Sequence, residues 1–217
     1  KITHEEILAM EDMSYPERAA FVLGKYLGEE LGTDFLLESC EKAYANFEGR
    51  DPVPLVKVDG EMGLYVLELF HGPTCAFKDM ALTLLPYLLK KSCEVTGIKE
   101  DILILAATSG DTGKAALEGF RDVKGTKVAV FFPDEGVAKM QRLQMCTQHG
   151  DNVIVASVEG NFDDCQRGVK KLFADETFNA ELAKKGVRLS SANSINFGRL
   201  APQIAYYFSA YVDLISS

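Results

Sequence analysis

The stretch Asp101–Ala107 reads DILILAA, and TSGDTG follows it directly at positions 108–113. A continuous apolar run of this length predicts a strand that is buried on both faces, as in a parallel sheet. Two further apolar runs, Lys127–Phe132 and Val153–Val158, follow along the chain and are separated by helical patterns. Strands that alternate with helices form right-handed βαβ units. The sequence therefore predicts the α/β class, with a parallel sheet flanked by helices in three αβα layers.

Outside this stretch the pattern changes. Residues 1–50 are predicted to form helices, and Asp79–Ser92 and Phe197–Leu214 are further helical patterns. A short apolar run, Tyr65–Phe70, predicts another strand. We therefore divide the chain into an N-terminal helical region (1–60), an α/β domain (61–192) and the start of a further large-domain segment (193–217).

Composition excludes several classes of function. The 217 residues carry a formal net charge of -9, whereas nucleic-acid binding needs clustered Lys and Arg. No apolar run is long enough to span a bilayer. The five cysteines include no CxxC pair, and no His, Cys or Asp cluster has metal-ligand spacing. We expect a cytoplasmic protein that is a monomer or homodimer. We expect it to bind a small-molecule substrate, and we expect no binding to nucleic acid, to a membrane or to a metal ion.

The turn after Asp101–Ala107 is the first candidate site, because ligands of parallel sheets bind beyond the carboxyl ends of the strands. Thr108, Ser109 and Thr112 offer hydroxyls beside the N-terminus of a helix, which suits a carboxylate or a phosphate. The alternative is a capped turn in which Ser109 or Asp111 is the cap. A nucleotide-binding P-loop is not supported, since position 108 is not Gly and position 115 is neither Ser nor Thr.

Lys78 is the second candidate. It ends HGPTCAFK at positions 71–78, where a loop becomes a helix among apolar residues. Burial disfavours the charged ammonium, and a neutral amine can form a Schiff base with an aldehyde. A solvated lysine at a helix start is the alternative. Asp79 fits a helix-start carboxylate, and His71 fits either the site or a structural turn.

A third polar segment precedes the final helix. It contains Asn193, Ser194, Asn196 and Arg199. An arginine can bind phosphate oxygens through two hydrogen bonds. The alternative is a polar helix cap with Arg199 paired on the surface.

Taken together, four strings resemble the threonine synthases. They occur in that family's order and are LELFHGPTCAFKD (67–79), LAATSGDTGKAALEGF (105–120), VEGNFDDCQ (158–166) and SANSINFGRLAPQIAYYF (191–208). Threonine synthases are similar in fold to tryptophan synthase β, a fold-type II family of enzymes that use pyridoxal 5'-phosphate. The first helices resemble the N-terminal region of the bacterial and fungal type.

The resemblance implies a role for each candidate. Lys78 would form the Schiff base with pyridoxal phosphate and later transfer protons, and Asp111 would be a second cofactor-binding residue. The other implied roles are substrate binding, with Thr108 and Ser109 at the α-carboxylate and Thr112, Asn193, Ser194, Arg199 and, more weakly, Asn196 at the phosphate. An ionised Asp111 cannot donate a hydrogen bond, so it is expected to order the turn rather than to bind a carboxylate.

The resemblance also implies a reaction. Threonine synthases convert O-phospho-L-homoserine and water to L-threonine and phosphate, as carbon–oxygen lyases acting on phosphates in threonine biosynthesis. Two alternatives are a related pyridoxal-phosphate lyase with another amino-acid substrate and a non-enzymatic threonine-synthase-like module. The family's loop for the cofactor phosphate would follow residue 217, and the chain does not begin with Met. We therefore expect a fragment, truncated at both ends, that is inactive by itself.

Overall fold

The computed structural model describes residues 1–59 and 61–216. The helices are α1 (His4–Leu8), α2 (Tyr15–Leu31), α3 (Thr33–Tyr44), α4 (Asp79–Leu82), α5 (Leu85–Thr96), α6 (Asp111–Gly119), α7 (Lys139–Cys146), α8 (Phe162–Ala174), α9 (Glu176–Lys184) and α10 (Phe197–Ile215). The strands are β1 (Leu55–Asp59), β2 (Leu64–Leu67), β3 (Asp101–Ala107), β4 (Thr126–Pro133), β5 (Val153–Val158) and β6 (Val187–Ser191).

Strands β3 to β6 form one parallel sheet in the order β5-β4-β3-β6. The strand β3 lies inside the sheet, where Ile104 pairs with Val128 of β4 on one side and with Ser190 of β6 on the other. Because successive side chains of a strand point to opposite faces, Ile104 packs with α6 while Leu105 packs with α8. Helices therefore cover both faces, and the predicted αβα class is confirmed.

The N-terminal helices form a second core with α10. The side chain of Arg18 connects them: its guanidinium donates to the carbonyl oxygens of Met10 (3.0 Å) and Glu11 (3.0 Å) and to the Ser209 hydroxyl (2.8 Å). It also forms an ion pair of 2.6 Å with Asp213. The C-terminal half of α10 is thus fixed to α2 and to the segment that follows α1. In the described ranges, no helix is long and apolar enough to cross a membrane.

The predicted helix Asp79–Ser92 is wrong at its centre. The structure contains two helices there, α4 and α5, separated by Thr83 and Leu84. Pro86 lies in the first turn of α5. A proline has no N–H to donate to the carbonyl four residues earlier and its ring clashes with that carbonyl, so the helix restarts instead of continuing.

The division of the chain into separate regions, with boundaries after residues 60 and 192, stays a prediction.

Close packing between α4 and α6 depends on Gly119. A Cβ added there would overlap the carbonyl oxygen of Leu82, which is a backbone atom and cannot move aside. We expect Gly119→Ala to lower the free energy of unfolding by about 2 kcal/mol, because overpacking forces backbone shifts. At Gly168, inside α8, the same position has no heavy atom of the described residues within 4 Å apart from its chain neighbours and the backbone of its own helix.

The matched substitution Gly168→Ala is therefore expected to raise the free energy of unfolding by about 0.5–1 kcal/mol, since glycine is unfavourable within a helix. Urea denaturation of both variants is the measurement. Equal effects of the two alanines would show that α4 and α6 are not in close contact at Gly119.

Candidate functional site

A cleft of about 800 Å³ opens at the carboxyl ends of β3 and β6. Eight of the nine predicted site residues line it, from three separate parts of the chain. They are Lys78, Thr108, Ser109, Asp111, Thr112, Asn193, Ser194 and Arg199. The parallel sheet brings two of these segments together because β3 and β6 are neighbours and end at the same edge.

Asn196 is the predicted residue that does not line the cleft. Its side-chain oxygen accepts from the Gly198 N–H at 2.9 Å, and its amide nitrogen donates to the Ser191 carbonyl at 2.9 Å. Both polar atoms thus serve the start of α10, where Asn196 is the N-cap.

Lys78 lies at the N-cap of α4 with its side chain 19% exposed. Its Nζ is 3.3 Å from Oδ2 of Asp111 and 4.4 Å from the centre of the Phe77 ring. The structure therefore gives the amine a carboxylate partner, which the sequence analysis did not anticipate. Lys78 is neither fully buried nor a free surface lysine.

The loop that carries Lys78 is held from within by Asp79. The carboxylate of Asp79 accepts from the Thr74 N–H at 2.8 Å and from the Thr74 hydroxyl at 2.6 Å. Burial raises the pKa of Asp79, and the bonds from Thr74 partly oppose that rise. A Cβ at Gly72 would lie only 2.5 Å from Cβ of Asp79, so the loop can close this tightly only with glycine there. The closed loop fixes where α4, and hence Lys78, begins.

The turn between β3 and α6 is ordered by Thr108. Its hydroxyl oxygen accepts from the Gly110 and Gly113 N–H groups, each at 3.0 Å. The helix cap predicted as an alternative, from Ser109 or Asp111, is wrong: α6 has Gly110 as its N-cap and no side-chain cap. Within the described part of the chain, the hydroxyls of Ser109 and Thr112 make no hydrogen bond. Both are available to a ligand in the cleft.

Arg199 is the most unusual group in the cleft. It is only 5% exposed, yet among the described residues it has no carboxylate partner. Its guanidinium donates to the Gln203 side chain and lies 5.9 Å from the Phe77 ring. Burial lowers its pKa, because the charged form loses hydration. The surface-pairing alternative for Arg199 is therefore wrong, and a buried cation without a counter-ion favours binding of an anion.

The sequence analysis missed other lining residues. Gln166 and Lys170 come from α8, Gln141 from α7 and Gln203 from α10. Gln166 and Lys170 are four residues apart, so they share one helix face, next to the buried Cys165. That spacing is visible in the sequence. Which way the face points depends on how α8 crosses the sheet.

The charge in the cleft differs from that of the chain as a whole. Lys78, Lys170 and Arg199 are its cations, and Asp111 is its one acidic side chain among the described residues. The whole chain has a net charge of -9. A local excess of positive charge in a concave site raises the local concentration of anions, so the cleft is suited to an anionic ligand.

Comparison with known proteins adds to this geometry. The family model described as pyridoxal-phosphate dependent enzyme matches residues 47–206. The threonine synthase of Pseudomonas aeruginosa is 41% identical over 214 residues, which are 99% of this chain and 44% of that protein. Human threonine synthase-like 1 is 38% identical, over 100% of this chain and 30% of its own length.

Solved structures agree with the sequence matches. The pyridoxal-phosphate-bound threonine synthase of Brucella melitensis superposes with a TM-score of 0.87 at 41% identity, covering 99% of this chain and 44% of that one. Yeast threonine synthase gives 0.86 at 34% identity, over 98% and 42%. The predicted resemblance to threonine synthases is confirmed. The chain spans less than half the length of these relatives.

Proposed function

The chain belongs to the pyridoxal-phosphate-dependent enzymes, and from that premise we propose that it forms the lysine-bearing part of a threonine synthase. The proposed reaction converts O-phospho-L-homoserine and water to L-threonine and phosphate. The observation that carries the proposal is Arg199, a buried guanidinium with no carboxylate partner among the described residues, in the same cleft as the Lys78 amine. A substrate with a phosphate supplies the missing anion.

The residues present fit the family's cofactor, pyridoxal phosphate. An aldehyde needs a primary amine, and Lys78 offers one at the wall of the cleft. The half-exposed ring of Phe77 beside it offers an apolar surface to a flat aromatic ligand. When bound, the cofactor supplies an electron sink for charge that develops at the substrate α-carbon. We propose that Lys78 holds the cofactor.

The chain's own side chains then have distinct tasks. We propose that the hydroxyls of Ser109 and Thr112, which bond to no described residue, bind anionic oxygens of the substrate together with the N-terminus of α6. The Thr108 hydroxyl is already used inside the turn, so its part is to keep that turn in shape. Arg199 binds the phosphate with help from the adjacent Asn193 and Ser194.

Proton transfer falls to Lys78. Its unprotonated Nζ would take one proton from the α-carbon and one from the β-carbon, and would return one to the γ-carbon and one to the α-carbon. Arg199 would stabilise the negative charge of the departing phosphate, because a donor already fixed in place needs no reorganisation when charge develops. Nζ of Lys78 donates to Asp111 at 3.3 Å, so this hydrogen bond must break before Lys78 binds the cofactor or transfers a proton.

The test uses protein expressed from its complete reading frame and loaded with pyridoxal phosphate. We expect equal amounts of phosphate and threonine to form from O-phosphohomoserine, measured by a phosphate assay and by amino-acid chromatography. O-acetylhomoserine, which lacks the phosphate, is the control substrate and is expected to react much more slowly. Turnover of the acetyl compound with no phosphate release would instead assign the protein to a related lyase with another substrate.

A further inference from the structure

Helix α7 contacts α6 through one narrow face. Gln141 and Met145 of α7 are four residues apart and therefore lie on the same side of the helix, and Gln148 follows just after the helix ends. Met145 is fully buried between the helices. The two glutamines lie on either side of it, and their amides reach charged residues of α6. Only Gln141 lines the cleft.

At the cleft, the two oxygens of Asp111 have different partners. Oδ1 accepts a hydrogen bond from the side-chain amide of Gln141, and Oδ2 accepts from Nζ of Lys78 at 3.3 Å. The same Gln141 amide lies against Gly110, where an added Cβ would overlap it. Its position is thus set both by the bond to Asp111 and by contact with the turn.

We propose that Gln141 is a positioning residue that controls, through Asp111, how readily Lys78 becomes available to the cofactor. This inference rests on the proposed function in that Lys78 is the cofactor lysine. A hydrogen bond from a neutral amide takes up part of the negative charge of a carboxylate. With Gln141 in place, Asp111 is held at the turn and binds Lys78 less strongly. Without it, Oδ1 loses its donor and the carboxylate pairs more fully with the lysine ammonium.

Only the unprotonated amine attacks an aldehyde, so stronger pairing with Asp111 slows attachment of the cofactor. Gln141 also remains bound to Asp111 after Lys78 leaves. The carboxylate is then not left without a partner in the cleft, where an unpaired charge is unfavourable. The residue therefore acts before attachment, by weakening the ion pair, and after it, by keeping Asp111 satisfied.

The test is Gln141→Met, which keeps the length of the side chain and removes the amide. Lys78 reactivity is measured in the cofactor-free chain as the rate of acylation by a small uncharged reagent, followed by mass spectrometry of the labelled peptide. Cofactor attachment is measured separately by absorbance. We expect both rates to fall on the order of tenfold, the size expected for one hydrogen bond to a charged group.

Asp111→Asn supplies the decisive comparison, because it removes the carboxylate through which Gln141 is proposed to act. In that background Gln141→Met is expected to have no further effect on the acylation rate. If the two substitutions instead act independently, the proposal is wrong. Gln141→Ala, which cannot collide with Gly110, replaces Gln141→Met if melting shows that the methionine variant does not fold.

Gln148, just beyond the C-terminal end of α7, offers a matched control that also reaches a charged residue of α6. Its amide donates to Glu118 at 2.9 Å and accepts from Lys114, outside the cleft. Gln148→Met is expected to lower the melting temperature but to leave Lys78 acylation unchanged, and an equal slowing would reduce Gln141 to a structural contact. If the unaltered protein, expressed from its complete reading frame, does not attach the cofactor at Lys78, that result counts against the proposed function alone, since acylation still measures the coupling.

Discussion

Lys78→Ala is expected to abolish covalent attachment of pyridoxal phosphate. Lys78 brings its amine to the cleft wall, 4.4 Å from the exposed ring of Phe77, and alanine offers no nitrogen for the aldehyde. The measurement is the visible absorption of the lysine-bound cofactor, together with the mass added after borohydride reduction. We expect both signals to disappear, and with them any release of phosphate from O-phosphohomoserine.

Lys170→Ala is the control, because Lys170 is another lysine of the same cleft but comes from α8. This variant is expected to keep the absorption band and the reducible adduct. If the band survives Lys78→Ala and disappears with Lys170→Ala, the assignment of the cofactor lysine is wrong, although the location of the site is not.

Arg199→Met is expected to have two effects of opposite sign. Affinity for phosphate-bearing ligands falls on the order of a hundredfold, because the ligand loses a buried charged partner. In the absence of ligand the free energy of unfolding rises by about 1–3 kcal/mol, because methionine fills the space without an uncompensated charge. If Arg199 had a purely structural role, the result would be the reverse: the Arg199→Met variant would be less stable and its affinity for phosphate-bearing ligands would be unchanged.

Calorimetric titration with inorganic phosphate and with O-phosphohomoserine measures the first effect, and urea denaturation measures the second. Arg188→Met is the matched control: Arg188 lies on β6 outside the cleft and pairs with Glu100 at 3.3 Å. It is expected to change neither quantity by much, since exposed ion pairs contribute little. Unchanged phosphate affinity in Arg199→Met would remove the main support for a phosphorylated substrate.

The sequence predicts the parallel sheet because its strands are long apolar runs, and a run such as Asp101–Ala107 is stable only when covered on both faces. The strand β1 was not predicted. Its apolar residues Val56 and Val58 are exposed, so LVKVD has no buried face to mark it, and it is defined by pairing with β2. The break before Pro86 could have been predicted from the proline alone.

In the site, the turn at 108–112 and the segment at 193–199 were predicted because they follow neighbouring strands of the sheet, whereas Lys78 was predicted from its place where a loop becomes a helix. The pairing of Lys78 with Asp111 is not visible in the sequence. The two residues are 33 positions apart, and their contact depends on how α4 packs against α6. The same reason hides Gln141, which reaches the cleft from α7. Packing angles between helices, rather than local patterns, determine these contacts.

The Arg18 network has a consequence for ligand binding. Helix α10 carries Arg199 near its first turn and Ser209 and Asp213 near its last, and Arg18 holds the latter pair to the N-terminal helices. At the rise of an α-helix, Arg199 lies about 15 Å from Ser209 and about 21 Å from Asp213 along the helix axis. We therefore expect that loosening of the N-terminal helices by heat frees the C-terminal end of α10, and that phosphate affinity falls at temperatures where the parallel sheet is still intact.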